Sequence, residues 1–516
     1  MDLFIGGVIG LTTSVCLIVG ILQLNRRYPL PGQVIEGHHT HTIPIPRLGG
    51  VALAGAMVAV VAFFHFASGQ EFLFQNERLV VIPACLAMFG LGLWDDLFKL
   101  GAKKKLLGQI LIASAAYYFG IGIFQFKVPV TYEIIQLGLW SFPLTVIWLV
   151  AMTNLINLID GIDGLAGGIC LMLMALLIFV SFNAGSVPVV TAGLAGALLG
   201  FLRFNFPPAR IYMGDGGAYF LGFYIGCSTI ITSHKGTIVA ALMAPLFVLA
   251  LPIIDTALAI LRRGVRGLPL FRPDRKHIHH RLLAAGHSRR TVVLGLYGFT
   301  AFFLLLGAAT FVKHGQYFPV CIGVGTLLII LTAGKFSFSR EWFSVGRVLG
   351  NSIESRAEIQ YALTLTRWLA LEGRRVHSLT ELADDVVFIA KKLGFATVHI
   401  RLEDEEKTWS LRKVQNEICH SHRHALPGHK YCFLELGVCC PKQDLPPDEE
   451  CCQKHRAMTD ILADLLAEGW IKAVGDWTNL HQLPMRFDAR PKMPTVGEPV
   501  LPNAIPPSAE TPPLDL

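Results

Sequence analysis

The sequence predicts an all-α polytopic membrane protein of about 11 transmembrane helices, followed by a small cytoplasmic α+β domain and a disordered C-terminal tail. Three observations lead there. The 516 residues are 53% hydrophobic and only 16% charged, with a mean hydropathy of +0.52, whereas a soluble chain carries about 25% charged residues. The long apolar runs all precede about residue 335, beyond which the composition is that of an ordinary soluble chain. Lys and Arg alternate strongly between successive loops of the apolar part.

A spanning helix needs about 20 mostly apolar residues. Eleven stretches qualify: 3–24, 48–68, 79–94, 106–123, 137–156, 162–183, 187–202, 217–233, 237–261, 292–312 and 317–334. The third, seventh and eighth are short or Gly-rich. The run Leu3 to Leu24 has no basic segment before it and no small-residue cleavage site, so it is expected to be a retained helix and not a signal peptide. The loops after spans 1, 3, 7 and 9, with the segments that flank them, carry 18 Lys and Arg, among them Arg47, Lys103, Lys104, Lys105, Arg210 and Arg281. The alternate loops carry only Arg78, Lys127, Lys235 and Lys313. By the positive-inside rule the N-terminus lies outside and the C-terminus in the cytoplasm. The net charge of +7 is modest, and no nucleic-acid partner is expected.

Three parts are expected: a membrane domain over 1–334, a cytoplasmic α+β domain over 351–475 and a Pro-rich disordered tail over 482–516. Residues 351–394 have helical periodicity, Thr397 to Leu402 alternates as a strand does, Tyr431 to Val438 is a second candidate strand, and Met458 to Val474 is helical again. The order resembles a GAF-like fold, without a motif. Such a domain would regulate the membrane part or dock an unidentified partner. Of the eleven cysteines, Cys16, Cys85, Cys170, Cys227 and Cys321 sit singly in apolar segments as small hydrophobes. The others lie between Cys419 and Cys452, near His420, His422, His424, His429 and His455. These are plausible metal ligands, but their spacing lacks the paired C-x₂-C pattern of a zinc site, and incidental Cys and His in a loop is the competing explanation.

Four polar clusters stand at the predicted cytoplasmic ends of membrane helices, where a charge near hydrocarbon is costly and needs a reason. In the first, Asp95 and Asp96 adjoin Lys103, Lys104, Lys105 and Gln109. Adjacent carboxylates are tolerated beside a divalent cation, a cationic side chain or water; a helix end carrying solvated charges fits equally well. In the second, Asn154, Asn157, Asp160 and Asp163 recur every three residues. They line one face if the segment is helical, or gather around a break at Gly161. Hard oxygen ligands suit Mg²⁺, and the amides a nucleoside; the alternative is hydrogen bonding between helices. In the third, Asn205 to Gly217 places Asp215 in a Gly-rich turn that opens a helix. Backbone N–H groups there would approach a phosphate closely, or Asp215 would be only an N-cap. In the fourth, His277, His279, His280 and Arg281 lie among cations, a site for phosphate and sugar hydroxyls. Zinc is disfavoured there because adjacent cations oppose it and no cysteine is near; a basic loop on anionic lipid accounts for the arginines but not the histidines.

Together these clusters, with Pro46-Arg47-Leu48-Gly49-Gly50, Pro252 and Asp255, resemble the polyprenyl-phosphate N-acetylhexosamine-1-phosphate transferase family over about residues 25–334. The His-Ile-His-His-Arg-Leu-Leu form is similar to the branch that uses UDP-N-acetylglucosamine, and less so to the phospho-N-acetylmuramoyl-pentapeptide transferase branch. Gly217-Ala218 departs from the family's more frequent Gly-Ser pair, and the chain beyond 335 is an addition.

The resemblance implies transfer of a sugar 1-phosphate from a UDP-sugar to undecaprenyl phosphate at the cytoplasmic face of a bacterial inner membrane, releasing UMP. It implies Mg²⁺, with Mn²⁺ as a substitute, held by Asp215 and Asp163, and a dimer through membrane helices. Asp95, Asp96, Asp160 and Asp163 are the expected catalytic acids. Lys105, Asn154, Asn157, Arg210, His277, His279, His280 and Arg281 are the expected substrate contacts. Two other classes remain open at this point. A proton-coupled transporter would place its acids near the bilayer midplane, often on repeated halves, and no repeat is visible. A receptor with a catalytically dead membrane part would have lost one of the clusters.

Overall fold

The computed structural model describes residues 1–28, 45–67, 76–127, 133–183, 185–235, 245–250, 286–309, 358–403, 405–411, 420–426, 432–438, 449–481 and 485–487, with isolated positions between 253 and 325. The chain divides into two compact units, Met1–Ser352 and Ile353–Leu516.

In the first unit α1 (Asp2–Arg27), α2 (Gly49–Phe66), α3 (Asn76–Phe98), α4 (Ala102–Tyr118), α5 (Ser141–Ile159), α6 (Leu165–Asn183), α7 (Val189–Asn205), α8 (Gly214–Lys235) and α9 (Arg289–Ala309) pack into a bundle. A short antiparallel pair, β1 (Gln125–Lys127) and β2 (Ile134–Gln136), links α4 to α5. Among the described residues, six helical segments are long and apolar enough to cross a membrane: α1, α2, α6, α9, Leu79–Phe98 within α3, and Gly138–Ile159. The expected count of 11 is therefore met only in part. The helices α4, α7 and α8 occupy three further expected spans, but α4 and α7 have 17 residues each, and α8 opens with Gly-Asp-Gly-Gly. The expected spans 237–261 and 317–334 lie mostly outside the described residues.

Helix α8 sits at the centre, packed on α2, α3, α5 and α6. Tyr219, Phe220, Leu221 and Phe223 are buried on all sides, as expected of a helix surrounded by others. The peripheral helices instead expose apolar side chains such as Phe4, Leu11 and Val19 on α1, the surface that lipid would cover.

In hydrocarbon, helices associate by close packing of small residues. Gly6, Gly10, Ser14 and Ile18 form the buried stripe of α1, directed at α7. A Cβ at Gly10 would stand 1.8 Å from the carbonyl oxygen of Gly193. Backbone cannot yield as a side chain can, so Gly10→Leu is expected to destabilise the bundle by at least ~2–3 kcal/mol. The check is the apparent melting temperature of the detergent-solubilised protein; an unchanged value would rule out this packing.

In the second unit, residues 358–372 form α10, followed by α11 (Leu379–Lys392), β3 (Thr397–Leu402), β4 (Glu405–Ser410), β5 (His420–Ala425), β6 (Phe433–Val438) and α12 (Glu449–His481). The strands make one antiparallel sheet in the order β4-β3-β6-β5. Ser378 caps α11 by accepting from Glu381 N–H, and the Glu381 carboxylate accepts from His377 N–H at 3.0 Å, a capping pair legible in the sequence. Val398, Ile400 and Leu402 on β3 and Leu434, Leu436 and Val438 on β6 form the inner face of the sheet, covered by α11 and α12. Strands β4 and β5 were not anticipated, since both alternate polar residues with half-buried ones. The packed unit also runs past the expected start of the tail. Phe487 is fully buried, its N–H donates to Glu405 at 2.7 Å, and its carbonyl accepts from the Thr380 hydroxyl at 2.8 Å.

Candidate active site

The first three of the four polar clusters meet where α3 ends, α4 and α8 begin, and α5 gives way to α6. Asp95 and Asp96 lie in the last turn of α3. A short link through Lys99, which adopts a positive φ of 50°, turns the chain into α4 and brings Lys105 back over the acids. The Lys105 ammonium pairs with Asp95 and, at 3.0 Å, with Asp215. The Asp215 carboxylate also meets that of Asp95 and lies within electrostatic reach of Tyr219, one turn further along α8.

The two adjacent acids do different things. Asp95 is buried, and its Oδ1 has no hydrogen-bond partner among the described residues. Asp96 is fully engaged: Oδ1 accepts from Asp215 N–H at 3.0 Å and Oδ2 from Gly216 N–H at 2.9 Å. It caps α8 from another helix, where a carboxylate complements the positive helix terminus. These are amides that the sequence assigned to a phosphate; a side chain of α3 takes two of them instead. Gly214 makes the approach possible. Its φ is +77°, and a Cβ there would meet Asp96 Oδ2 at 2.7 Å and Arg47 O at 2.6 Å, so only glycine fits.

The second cluster resolves as a break. Helix α5 ends at Ile159, Asp160 caps it, and α6 starts at Leu165. Asp160 lies within electrostatic reach of Asp215, Asp96, Arg47 and Asp163, which joins the second cluster to the first and third. Asp163 accepts from Ala209 N–H at 3.2 Å, with Arg289 at 3.8 Å. Asn205 ties the same loops, accepting from Gly164 N–H at 2.9 Å and donating to Ile211 O at 2.8 Å. Asn157 is half-buried in the last turn of α5. Asn154 faces α4, where its amide donates to the buried Gln109 at 2.7 Å. That contact is hydrogen bonding between helices, the alternative held open for this residue. Arg210 and Lys103 are exposed. His277, His279, His280 and Arg281, with Pro252 and Asp255, lie outside the described residues.

Several participants were not singled out from sequence. Arg47 counts in the sequence as a loop charge and as part of the Pro46–Gly50 run, with no role in the site, yet it lies within electrostatic reach of Asp96 and Asp160. It is held there because Gly49 and Gly50 N–H donate to Tyr212 and Met213 carbonyls, both at 2.9 Å, while Tyr212 N–H donates to Pro46 O at 3.0 Å. Tyr219 carried a signal, a polar tip four residues after Asp215 in an apolar helix. Arg289 and Arg290 carried none; they reach Asp163 and Pro207 O from α9.

Five carboxylates, Asp95, Asp96, Asp160, Asp163 and Asp215, therefore face three cations, Lys105, Arg47 and Arg289, among the described residues. An excess of negative charge, facing carboxylates and an unpartnered buried oxygen on Asp95 fit a hard divalent cation. All of it gathers at helix ends in one place, which is not the midplane arrangement of a transporter.

Comparison with known proteins points the same way. The sequence model of glycosyl transferase family 4 matches residues 78–233. The chain is 38% identical over 260 residues to a Bacillus subtilis protein named probable undecaprenyl-phosphate N-acetylglucosaminyl 1-phosphate transferase, covering 50% of this chain and 71% of that one. It is 34% identical over 362 residues to the decaprenyl-phosphate N-acetylglucosaminephosphotransferase of Mycobacterium leprae, covering 62% and 87%. It is 31% identical over 272 residues to the phospho-N-acetylmuramoyl-pentapeptide-transferase of Listeria innocua, covering 49% and 80%.

Proposed function

Because this multi-pass membrane chain belongs to glycosyl transferase family 4, we propose that it transfers N-acetylglucosamine 1-phosphate from UDP-N-acetylglucosamine to undecaprenyl phosphate and releases UMP. The observation that carries this is the joining of Asp95 and Asp215 through Lys105, with Asp160 and Asp163 beside them. The N-acetylglucosamine donor is favoured over a muramoyl-pentapeptide donor by the higher identity to relatives named for the former. By the alternation of loop charge, the site faces the cytoplasm at the inner membrane.

A lipid phosphate oxygen forms a bond to the sugar-linked phosphorus, and the bond from that phosphorus to the bridging oxygen breaks, with UMP leaving. Such displacement depends on positioning and electrostatics. Asp215, with Asp163 and Asp160, would hold Mg²⁺ or Mn²⁺, and the bound ion would neutralise the diphosphate and the departing UMP. Asp95 orients the lipid phosphate, which is mostly dianionic near neutral pH since its second pKa is about 6. Lys105 keeps Asp95 and Asp215 in register and offers its charge to a phosphate. Asn157 contacts the nucleoside, while Asn154 with Gln109 fixes α5 against α4. Arg210 and the His277, His279, His280 and Arg281 group read the sugar and diphosphate.

The test is UMP release by purified protein given Mg²⁺, undecaprenyl phosphate and a panel of UDP-sugars. Release is expected with UDP-N-acetylglucosamine, only when lipid is present, and is expected to stop with EDTA and return with Mg²⁺. No release from any UDP-sugar overturns the assignment. Release from UDP-N-acetylmuramoyl-pentapeptide alone moves the chain to the other branch.

A further inference from the structure

We propose that the C-terminal unit carries a binding site for a zinc-type divalent transition-metal ion, formed by His420 and His422 of β5 and Asp460 of α12. It is independent of the transferase reading and lies outside the unit that holds the acids described above.

The inner face of the sheet is apolar along β3 and β6. On β5, which pairs with β6, the inward positions opposite Val438, Leu436 and Leu434 are His420, His422 and His424. Aliphatic side chains would fill those positions without electrostatic cost. The imidazoles instead face acids of α12. His422 Nε2 lies 3.2 Å and His420 Nε2 4.0 Å from Asp460 Oδ1, and His424 Nδ1 lies 3.9 Å from Asp464 Oδ1. The rings of His420 and His422 are perpendicular, with centroids 4.5 Å apart. One ligand atom from each of His420, His422 and Asp460 falls within 4.8 Å of the others. Ligands on one tetrahedral zinc ion are about 3.4 Å apart at ordinary bond lengths, so small side-chain rotations would bring the three onto one ion, with water as the fourth ligand.

The donor chemistry selects the ion. Two imidazoles and one carboxylate suit zinc, cobalt or nickel and not Mg²⁺, which prefers oxygen and water. The neighbouring cation does not oppose it: Arg423 points to the other face of the sheet, bonded to Glu435 at 2.7 Å. The His424–Asp464 pair, one step along both elements, supports the strand against the helix. The competing explanation is that inward polar residues merely keep edge strand β5 from pairing with another chain, which needs no metal.

The experiment uses the full chain in detergent, stripped with EDTA and dialysed against excess Mg²⁺ with limiting Zn²⁺. Bound zinc is counted per chain, and Co²⁺ replaces it for visible absorption. The wild type is expected to hold one zinc more than H420Q/H422Q. Asp460→Asn, which keeps the side-chain size, is expected to weaken binding about tenfold or more. Tetrahedral cobalt bands are expected in the wild type and not in H420Q/H422Q. Equal zinc content in wild type and H420Q/H422Q overturns the site, and so does a wild type that holds no zinc at all, a result that depends on no variant folding.

Discussion

Asp215→Asn is expected to lower the turnover of UMP release by at least ~10³-fold while leaving the melting temperature close to that of the wild type. The change removes one negative charge and keeps the shape. The N–H of residue 215 still donates to Asp96, so the start of α8 stays capped. Lys105 still has Asp95 as a partner. What is lost is the carboxylate that faces Asp95 and sits within electrostatic reach of Tyr219 and Asp160. Removal of a single preorganised charge-stabilising group typically costs about 10²–10³ in turnover, and a group that also holds a divalent ion costs more. The check is turnover at saturating lipid and UDP-sugar, set beside thermal unfolding of the same preparation. Turnover within tenfold of wild type would take Asp215 out of the chemistry; collapse of the fold would assign it a structural role instead.

Asp96→Ala is expected to differ from a change at its neighbour in destabilising the fold: a stability loss of about 2 kcal/mol or more, with activity falling because α8 loses its anchored start. A carboxylate at a helix N-terminus contributes about 0.5–2 kcal/mol. Here both oxygens are used, in charge-assisted bonds to two successive amides, inside a bundle where water is a poor substitute. Asp95→Asn, by contrast, should leave the melting temperature within a few degrees, because Oδ1 has no hydrogen bond to lose among the described residues and Lys105 keeps Asp215 as a partner, and should abolish turnover, because the charge that orients the lipid phosphate is gone. Apparent unfolding midpoints of the two variants, measured side by side in detergent, decide this. Equal midpoints would mean that the pair acts as a unit.

The two residues show where sequence reading stops. Asp95 and Asp96 are adjacent and identical in type, and nothing local distinguishes them. Their helical positions differ by about 100°, so one carboxylate meets the side chains of Lys105 and Asp215 while the other takes the backbone amides that open α8. Asn154 makes the same point from the other side. It stands in a run with Asn157, Asp160 and Asp163 that reads as a single site, yet its amide belongs to Gln109 on α4.

From the sequence alone came the membrane class, most helix positions in the first unit, the α+β character of the second, and the four clusters of polar residues. Apolar length, loop charge and residue type are local properties, so they survive without a structure. The tertiary structure decided the rest: which acid caps and which faces an ion, that Arg47 and Arg289 reach acids far from them in the chain, and that the histidines of β5 turn inward onto α12. These depend on packing partners separated by tens to hundreds of residues. Side-chain direction at a helix end or on an edge strand is set by the neighbour that arrives there, and no local pattern records which one it will be.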